Sequence, residues 1–324
     1  MDTFPICTAM NLTQEDLIDI TEAAVKGAVR AGEYIASCAG KTLTRHQKRA
    51  TYLPHEPTLG GASEAARLVT DVDLTSEHII IESLLPVLKG YDIGLLCEER
   101  EDDNSRFVKD YFIAIDPLDG TLHFSEGKSG YSVAIALIDR SGEPLVGVVF
   151  DPAEQTLYQA TRGCGARINE RPFTVPPIAE DATLSLIHDR SFGAQPIYPA
   201  IIEALSDMAA KNGYHDVHAY EYGGSVINGC KVLENNPALF FKLPQPGAGG
   251  GCIWDFAATA CIYREVGAHA TDVRGKALHL NGPSRYLNHQ GVLFTGAAAV
   301  HEHAVHLCKD LVQRPGHFNH EKTS

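Results

Sequence analysis

Two carboxylates three residues apart close the apolar run Tyr111-Phe-Ile-Ala-Ile-Asp-Pro-Leu-Asp-Gly-Thr121. Pro117 fixes φ in a turn, so Asp116 and Asp119 can converge on one point at the end of a strand. Gly120 and Thr121 then offer backbone N–H groups to an anion if a helical turn begins there. Glu98 and Glu99 end the apolar run Ile93 to Cys97 in the same manner, and Asp255 follows Trp254 at the start of an apolar helix. Each fragment has an ordinary structural reading. Asp-x-x-Asp is a common turn, adjacent glutamates form a solvated rim, and an Asp at a helix start is an N-cap. Three element ends that all carry carboxylates point instead to one site. Like charges held within about 4 to 6 Å raise one another's pKa, so such a cluster stays ionised only around cations. Oxygen ligands without a zinc-type Cys or His grouping select hard ions, magnesium or manganese. Metal ions about 3.5 to 4 Å apart can activate a water and stabilise the leaving oxygen of a phosphate. The chemistry implied is phosphate ester hydrolysis.

The elements that must position these groups follow from hydrophobic periodicity. Leu17, Ile20, Ala24, Ala28, Ala31 and Ile35 recur at helical spacing, and Thr13 with Asp16 resembles a capping pair, so a helix is expected over 13–38. Residues 41–64 carry Lys41, Arg45, Lys48, Arg49, Pro54, Pro57, Gly60 and Gly61 without either period. They read as a loop, and as a candidate lid whose Lys48 could meet an anionic substrate. A helix over about 74–88 precedes short strand-type runs at 93–97, 111–115, 131–138, 145–150 and 156–160. Beyond Pro176 and Pro177 the pattern changes to helices near 197–211, 225–234 and 255–266, alternating with strand-like runs at 184–188, 238–243 and 291–295. A boundary is expected near 180, between an N-terminal α+β domain (1–180) bearing the carboxylates and a C-terminal α/β domain (181–324) completing the substrate site.

Composition excludes several classes. The chain has 324 residues, 44% of them hydrophobic, which suits a packed globular protein rather than a disordered one. A formal charge of -14 with no basic run argues against a nucleic-acid polymer or an anionic membrane as partner. Eight Cys residues without a CxxC pair, and no leader-like start, point to a reduced cytoplasmic setting. No apolar run approaches the roughly 20 residues that span a bilayer. A homodimer is the candidate assembly.

With these motifs in hand, the chain resembles the lithium-sensitive, magnesium-dependent phosphatases that include inositol monophosphatase, fructose-1,6-bisphosphatase and 3'(2'),5'-bisphosphate nucleotidase. The pieces that carry the resemblance are Thr70-Asp-Val-Asp73, Glu98-Glu99, Asp116-Pro-Leu-Asp-Gly-Thr121 and Trp254-Asp255-Phe-Ala-Ala258, with weaker matches at Gly147 to Pro152, Ala160 to Ala166 and Gly224-Ser225. The resemblance implies a layered α/β/α/β/α sandwich and two or three magnesium ions, with manganese as an alternative. It implies that Glu98, Asp116 and the Leu118 carbonyl hold one ion, and Asp116, Asp119 and Asp255 a second. Thr121 and Asp73 would orient and deprotonate the attacking water, Glu99 would lie near the water network, and the N–H groups of Gly120 and Thr121 would hold the phosphate. The substrate would be a small-molecule phosphate, and lithium an inhibitor.

Two departures concern the substrate. Where inositol monophosphatases have a Glu shortly before the Trp-Asp motif, this chain has Gly247-Ala-Gly-Gly-Gly251. Where bisphosphate nucleotidases follow Gly-Ser with a Lys three residues on, it reads Gly224-Ser-Val-Ile-Asn228. Lys242 resembles a basic position of the bacterial nucleotidases, so the reading leans to a bisphosphate nucleotidase, with an inositol or sugar monophosphate phosphatase as alternative; a non-enzymatic metal- or phosphate-binding protein is the second class. Gly224, Ser225, Lys242 and Lys48 are the substrate-contact candidates. Ser225 lacks the second Gly of a nucleophile elbow, and the Gly run lacks the Lys of a P-loop. His301, His303 and His306 are expected on a solvated helix face.

Overall fold

The computed structural model describes residues 11–41, 45–47, 68–245 and 250–313. The chain begins with α1 (Gln14–Cys38), capped by Thr13 and Asp16 in a reciprocal box, and passes through the short antiparallel pair β1 (Arg45–Gln47) and β2 (Leu68–Thr70) to α2 (Asp71–Gly90). A strand therefore stands within the stretch expected to be loop. Apart from Lys41 and this strand, the candidate lid, Lys48 included, lies outside the described residues.

A seven-stranded sheet follows. It consists of β3 (Gly94–Cys97), β4 (Tyr111–Asp119), β5 (Ser132–Asp139), β6 (Pro144–Asp151), β7 (Thr156–Thr161), β8 (Ala166–Ile168) and β9 (Arg171–Phe173), in that order across the sheet. β3 and β4 are parallel and the other neighbours antiparallel. Two small helices, α3 (Ser105–Val108) and α4 (Thr121–Ser125), flank β4. Strands β4 to β6 are buried on both faces, which is why they read as continuous apolar runs rather than alternating ones.

The second sheet has β10 (Leu184–His188) at its parallel centre, between β11 (Val217–Glu221) and β12 (Ala238–Lys242); β14 (Val292–Thr295) and β13 (His269–Thr271) extend it antiparallel, in the order β11-β10-β12-β14-β13. Between these strands run α5 (Arg190–Gly193), α6 (Tyr198–Lys211), α7 (Ser225–Glu234), α8 (Ile253–Glu265) and, last, α9 (Ala298–Gln313).

Three apolar cores stack these elements into five layers. α1 and α2 bury Ile20, Ala28, Ile80 and Leu84 against Ile113, Ile135 and Val148 on one face of the first sheet. The opposite face of that sheet and the inner face of the second enclose α7 and α8, through Phe112, Ala136, Ile227, Phe256 and Phe294. α6 and α9 cover the outer face of the second sheet with Leu205 and Cys308 against Leu186 and Phe241. This is the α/β/α/β/α sandwich, and its middle helices touch both sheets. α8 is apolar all round because it lies between two sheets.

Candidate active site

The carboxylates meet where β3, β4, α7 and α8 end on one another. Asp116 lies within β4 and is 1% exposed; between it and Asp119 the register with β5 shifts, and the bulge turns both side chains to one side. Asp116 Oδ1 accepts the Leu118 N–H at 3.1 Å, which folds the Pro117 turn back on itself. Asp119 is gripped from the other half of the chain: Oδ1 accepts from Ser225 N at 3.1 Å and Oδ2 from Val226 N at 2.9 Å, the free donors that open α7. A side chain at Gly224 would put its Cβ 2.1 Å from Asp119 Oδ2, so only glycine allows this approach. The structure thus sets Gly224 and Ser225 against Asp119. Asp255 opens α8, where its Oδ2 accepts from Cys252 N at 2.5 Å.

Asp116, Asp119 and Asp255 each present an oxygen within 4.8 Å of the others. Burial first, then Glu98, Asp119 and Asp255, drives the Asp116 pKa well above the carboxylate range. Burial and the Asp255 charge push Asp119 up to about 8, against relief from the Val226 N–H and Lys242. Burial and Glu98 raise Asp255 to about 6, again offset by Lys242. Three neighbouring acids that resist ionisation, all with oxygen donors, form a set that a hard divalent cation fits.

Beside this cluster, Thr121 Oγ1 lies 3.0 Å from Asp73 Oδ1 and 2.9 Å from the Leu118 carbonyl. Gly120, at φ +82°, makes the left-handed step from β4 into α4 that brings the hydroxyl back over Leu118. Asp73 is wholly buried and fixed from behind, its Oδ2 accepting Thr70 N at 2.8 Å and Thr70 Oγ1 at 2.5 Å in the capping box of α2. The sequence reading began that helix at about 74; in fact Asp73 belongs to its first turn, because Thr70 caps it. The Thr-x-x-Asp spacing carried that signal. Glu98 follows β3, with its N–H on the Ile115 carbonyl, and its side chain hydrogen-bonds Asp116. Glu99 is half-buried next to it, its N–H donated to Glu77 Oε2 at 3.1 Å.

On the far wall, Lys242 ends β12 and pairs with Asp189 Oδ2 at 2.9 Å, both side chains largely buried. Burial lowers the ammonium pKa, but the Asp189 charge and hydrogen bond, with Asp255 and Asp119, outweigh it and raise it. Sequence reasoning missed Asp189. It stands just beyond the C-terminal end of a parallel strand, the usual place for a ligand contact in such sheets. Glu77, also missed, follows Asp73 by one helical turn. Of the α9 histidines, His306 is exposed as expected and His303 half-buried, but His301 departs from expectation: it is turned inward, stacked on His269 with centroids 4.6 Å apart, and contacts Thr295 Oγ1 at 3.1 Å. The helix packs on β14 and β12, and His301 in its first turn reaches His269 of β13, so that side chain faces a sheet rather than solvent.

The profile described as the inositol monophosphatase family matches residues 16–313. The chain belongs to that family. Among its relatives, the Nus factor SuhB of Vibrio cholerae is 29% identical over 257 residues, 78% of this chain and 84% of that one. The 3'(2'),5'-bisphosphate nucleotidase CysQ of Shigella flexneri is 29% identical over 231 residues, 68% and 82% of the two chains. The solved Thermotoga maritima IMPase superposes with a TM-score of 0.66 at 20% identity, over 91% of this chain and 98% of that one, and shares the fold. Among the described residues no helix is long and apolar enough to cross a membrane.

Proposed function

We propose that this family member is a magnesium-dependent phosphomonoesterase acting on a small phosphorylated metabolite in the cytoplasm. The observation that carries the reading is the meeting of Asp116, Asp119 and Asp255 within 4.8 Å, next to a Thr121–Asp73 hydrogen bond of 3.0 Å. The carboxylates with Glu98 and the Leu118 carbonyl would hold magnesium, or manganese in its place. When bound, the ion supplies Lewis acidity toward water and the phosphoryl oxygens. The chain supplies orientation and the base. Thr121 has one proton and two acceptors; directing it to Asp73 leaves its lone pairs to accept from a water, whose proton then passes through Thr121 to Asp73. Thr70 holds Asp73 still throughout. Gly120 and Thr121 N–H groups receive the phosphate, and Glu99 borders the water.

For the leaving group we favour a bisphosphate nucleotide over an inositol or sugar monophosphate. Lys242 supports this reading, as a buried cation whose charge reaches Asp119 and Asp255. A second phosphate would share the ammonium with Asp189, its present partner. The presence of the Thr121–Asp73 pair argues against a binding protein without turnover. The test is phosphate release from adenosine 3',5'-bisphosphate, inositol 1-phosphate, fructose 1,6-bisphosphate and sugar phosphates, with magnesium and with EDTA. Activity abolished by EDTA, and a preference of about 100-fold for the nucleotide, equivalent to about 2.7 kcal/mol, is expected. A flat profile removes the nucleotide lean, and no turnover with any member removes the enzyme reading.

A further inference from the structure

Glu77 is 3% exposed, lies outside the acidic cluster, and has no part in the chemistry above. Its position is nevertheless specific. It sits one turn beyond Asp73 on the same face of α2, so about 6 Å of helix rise separates the two. Both of its oxygens are committed to a single tripeptide: Oε2 accepts from Glu99 N at 3.1 Å, and Oε1 from Arg100 Nε at 2.5 Å. That tripeptide, Glu98-Glu99-Arg100, carries the ligand candidate Glu98.

The tripeptide needs such a hold because of where it stands. β3 is an edge strand, paired only with β4. Its last bond to β4 is Glu98 N to the Ile115 carbonyl, and the next backbone donor, Glu99 N–H, goes to Glu77. The turn is thus fixed to β4 on one side of Glu98 and to α2 on the other. As a stability device the arrangement is poor. The Arg100 side chain is 51% exposed, so its ion pair contributes little, while the buried carboxylate carries a desolvation cost that an apolar residue of the same size would avoid.

We infer that Glu77 is a positioning residue: it ties the Glu98 turn to the helix that carries Asp73, and so fixes the first ion's carboxylate relative to the water-activating pair. The inference rests on the metal reading of Glu98 proposed above. Gln at 77 would keep the shape, but its amide must set a donor against either the Glu99 N–H or the Arg100 Nε–H, releasing one end of the clamp.

Mn2+ binding to the full-length chain, followed by electron paramagnetic resonance alongside metal-free thermal melting, tests it in wild type, Glu77→Gln and Arg100→Ala. Glu77→Gln is expected to weaken Mn2+ binding by about 10-fold or more, the range typical of groups that orient metal ligands. Arg100→Ala keeps the Glu99 bond and removes only an exposed side chain, so about a two- to threefold weakening in the same direction is expected. Wild-type Mn2+ affinity in Glu77→Gln, even with a lowered melting temperature, overturns the inference and leaves Glu77 a folding residue. If Glu77→Gln does not fold, unchanged affinity in Arg100→Ala overturns it. Failure of the wild-type chain to bind Mn2+ overturns the metal reading itself.

Discussion

The C-terminal end of β4 and the contact between β13 and α9 both bury titratable groups against one another, and they answer pH in opposite directions. At the first, Asp119 and Asp255 have folded pKa values of about 8 and 6 against an ordinary 3.8, so the folded state binds more protons than the unfolded one. Stability contributed there is full at low pH and is lost as pH rises from about 4 through 8. At the second, burial and the neighbouring His269 lower His301 from 6.5 to about 4. The unfolded state now binds more protons, and stability present above 6.5 is lost as pH falls toward 4. The acidic site has a remedy that the histidine pair lacks, since a cation relieves repulsion among carboxylates. One region offers a cation a set of oxygen ligands, and the other packs two imidazoles face to face.

The largest effect that would break this contrast concerns Asp116. Asp116→Asn should lower kcat with saturating magnesium by on the order of 10³-fold, since several kcal/mol of charge stabilisation is removed. Undiminished hydrolysis by that variant would make the cluster structural. Next comes Thr121→Ala, expected to cut kcat by about 10²- to 10³-fold while Mn2+ affinity changes little, because in the proposed mechanism the hydroxyl moves a proton and holds no ion. Parallel losses of rate and affinity would turn Thr121 into a turn residue.

Smaller effects appear in stability. Without metal, Asp255→Asn should melt higher than wild type at pH 8 and close to it at pH 4, the mark of relieved repulsion; a uniform drop would contradict the raised pKa values. Magnesium should raise the wild-type melting temperature more at pH 8 than at pH 5, where its ligands are partly protonated. Smallest of all, His301→Gln should flatten the loss of stability between pH 6.5 and 4 and leave kcat unchanged. An unaltered acid slope would assign that loss to other groups.

How much of this could be read from sequence depends on whether partners lie close along the chain. The turn at Asp116 to Thr121 announces itself because apolar periodicity, Pro117 and Gly120 act within a few residues. The five layers were legible through the family resemblance, and β10, β12, β14, α7 and α8 through their periodicity. What long-range packing decides was not legible. Nothing local says that Asp119 is capped by the N-terminus of α7, 106 residues onward, or that Lys242 finds Asp189. The His301 face was expected in solvent because a helix of mixed polarity does not declare which of its turns meets a sheet. β8, β9, β11 and β13 are too short or too polar for their period to stand out, and β11 is an edge strand with two exposed rings, His218 and Tyr220.

The grip of α7 on Asp119 also bears on the order of synthesis. A growing chain presents Glu98, Asp116 and Asp119 long before Ser225 and Val226 exist to hold the last of them, and before Asp255 adds the third acid of the cluster. The first sheet can therefore collapse onto α1 and α2 while mutual repulsion is still modest. The burden arrives late, with α8, when the remaining layers close over the site and ion binding can begin to offset it. Birth order thus postpones the protein's electrostatic strain until nearly everything that can bear it has been made.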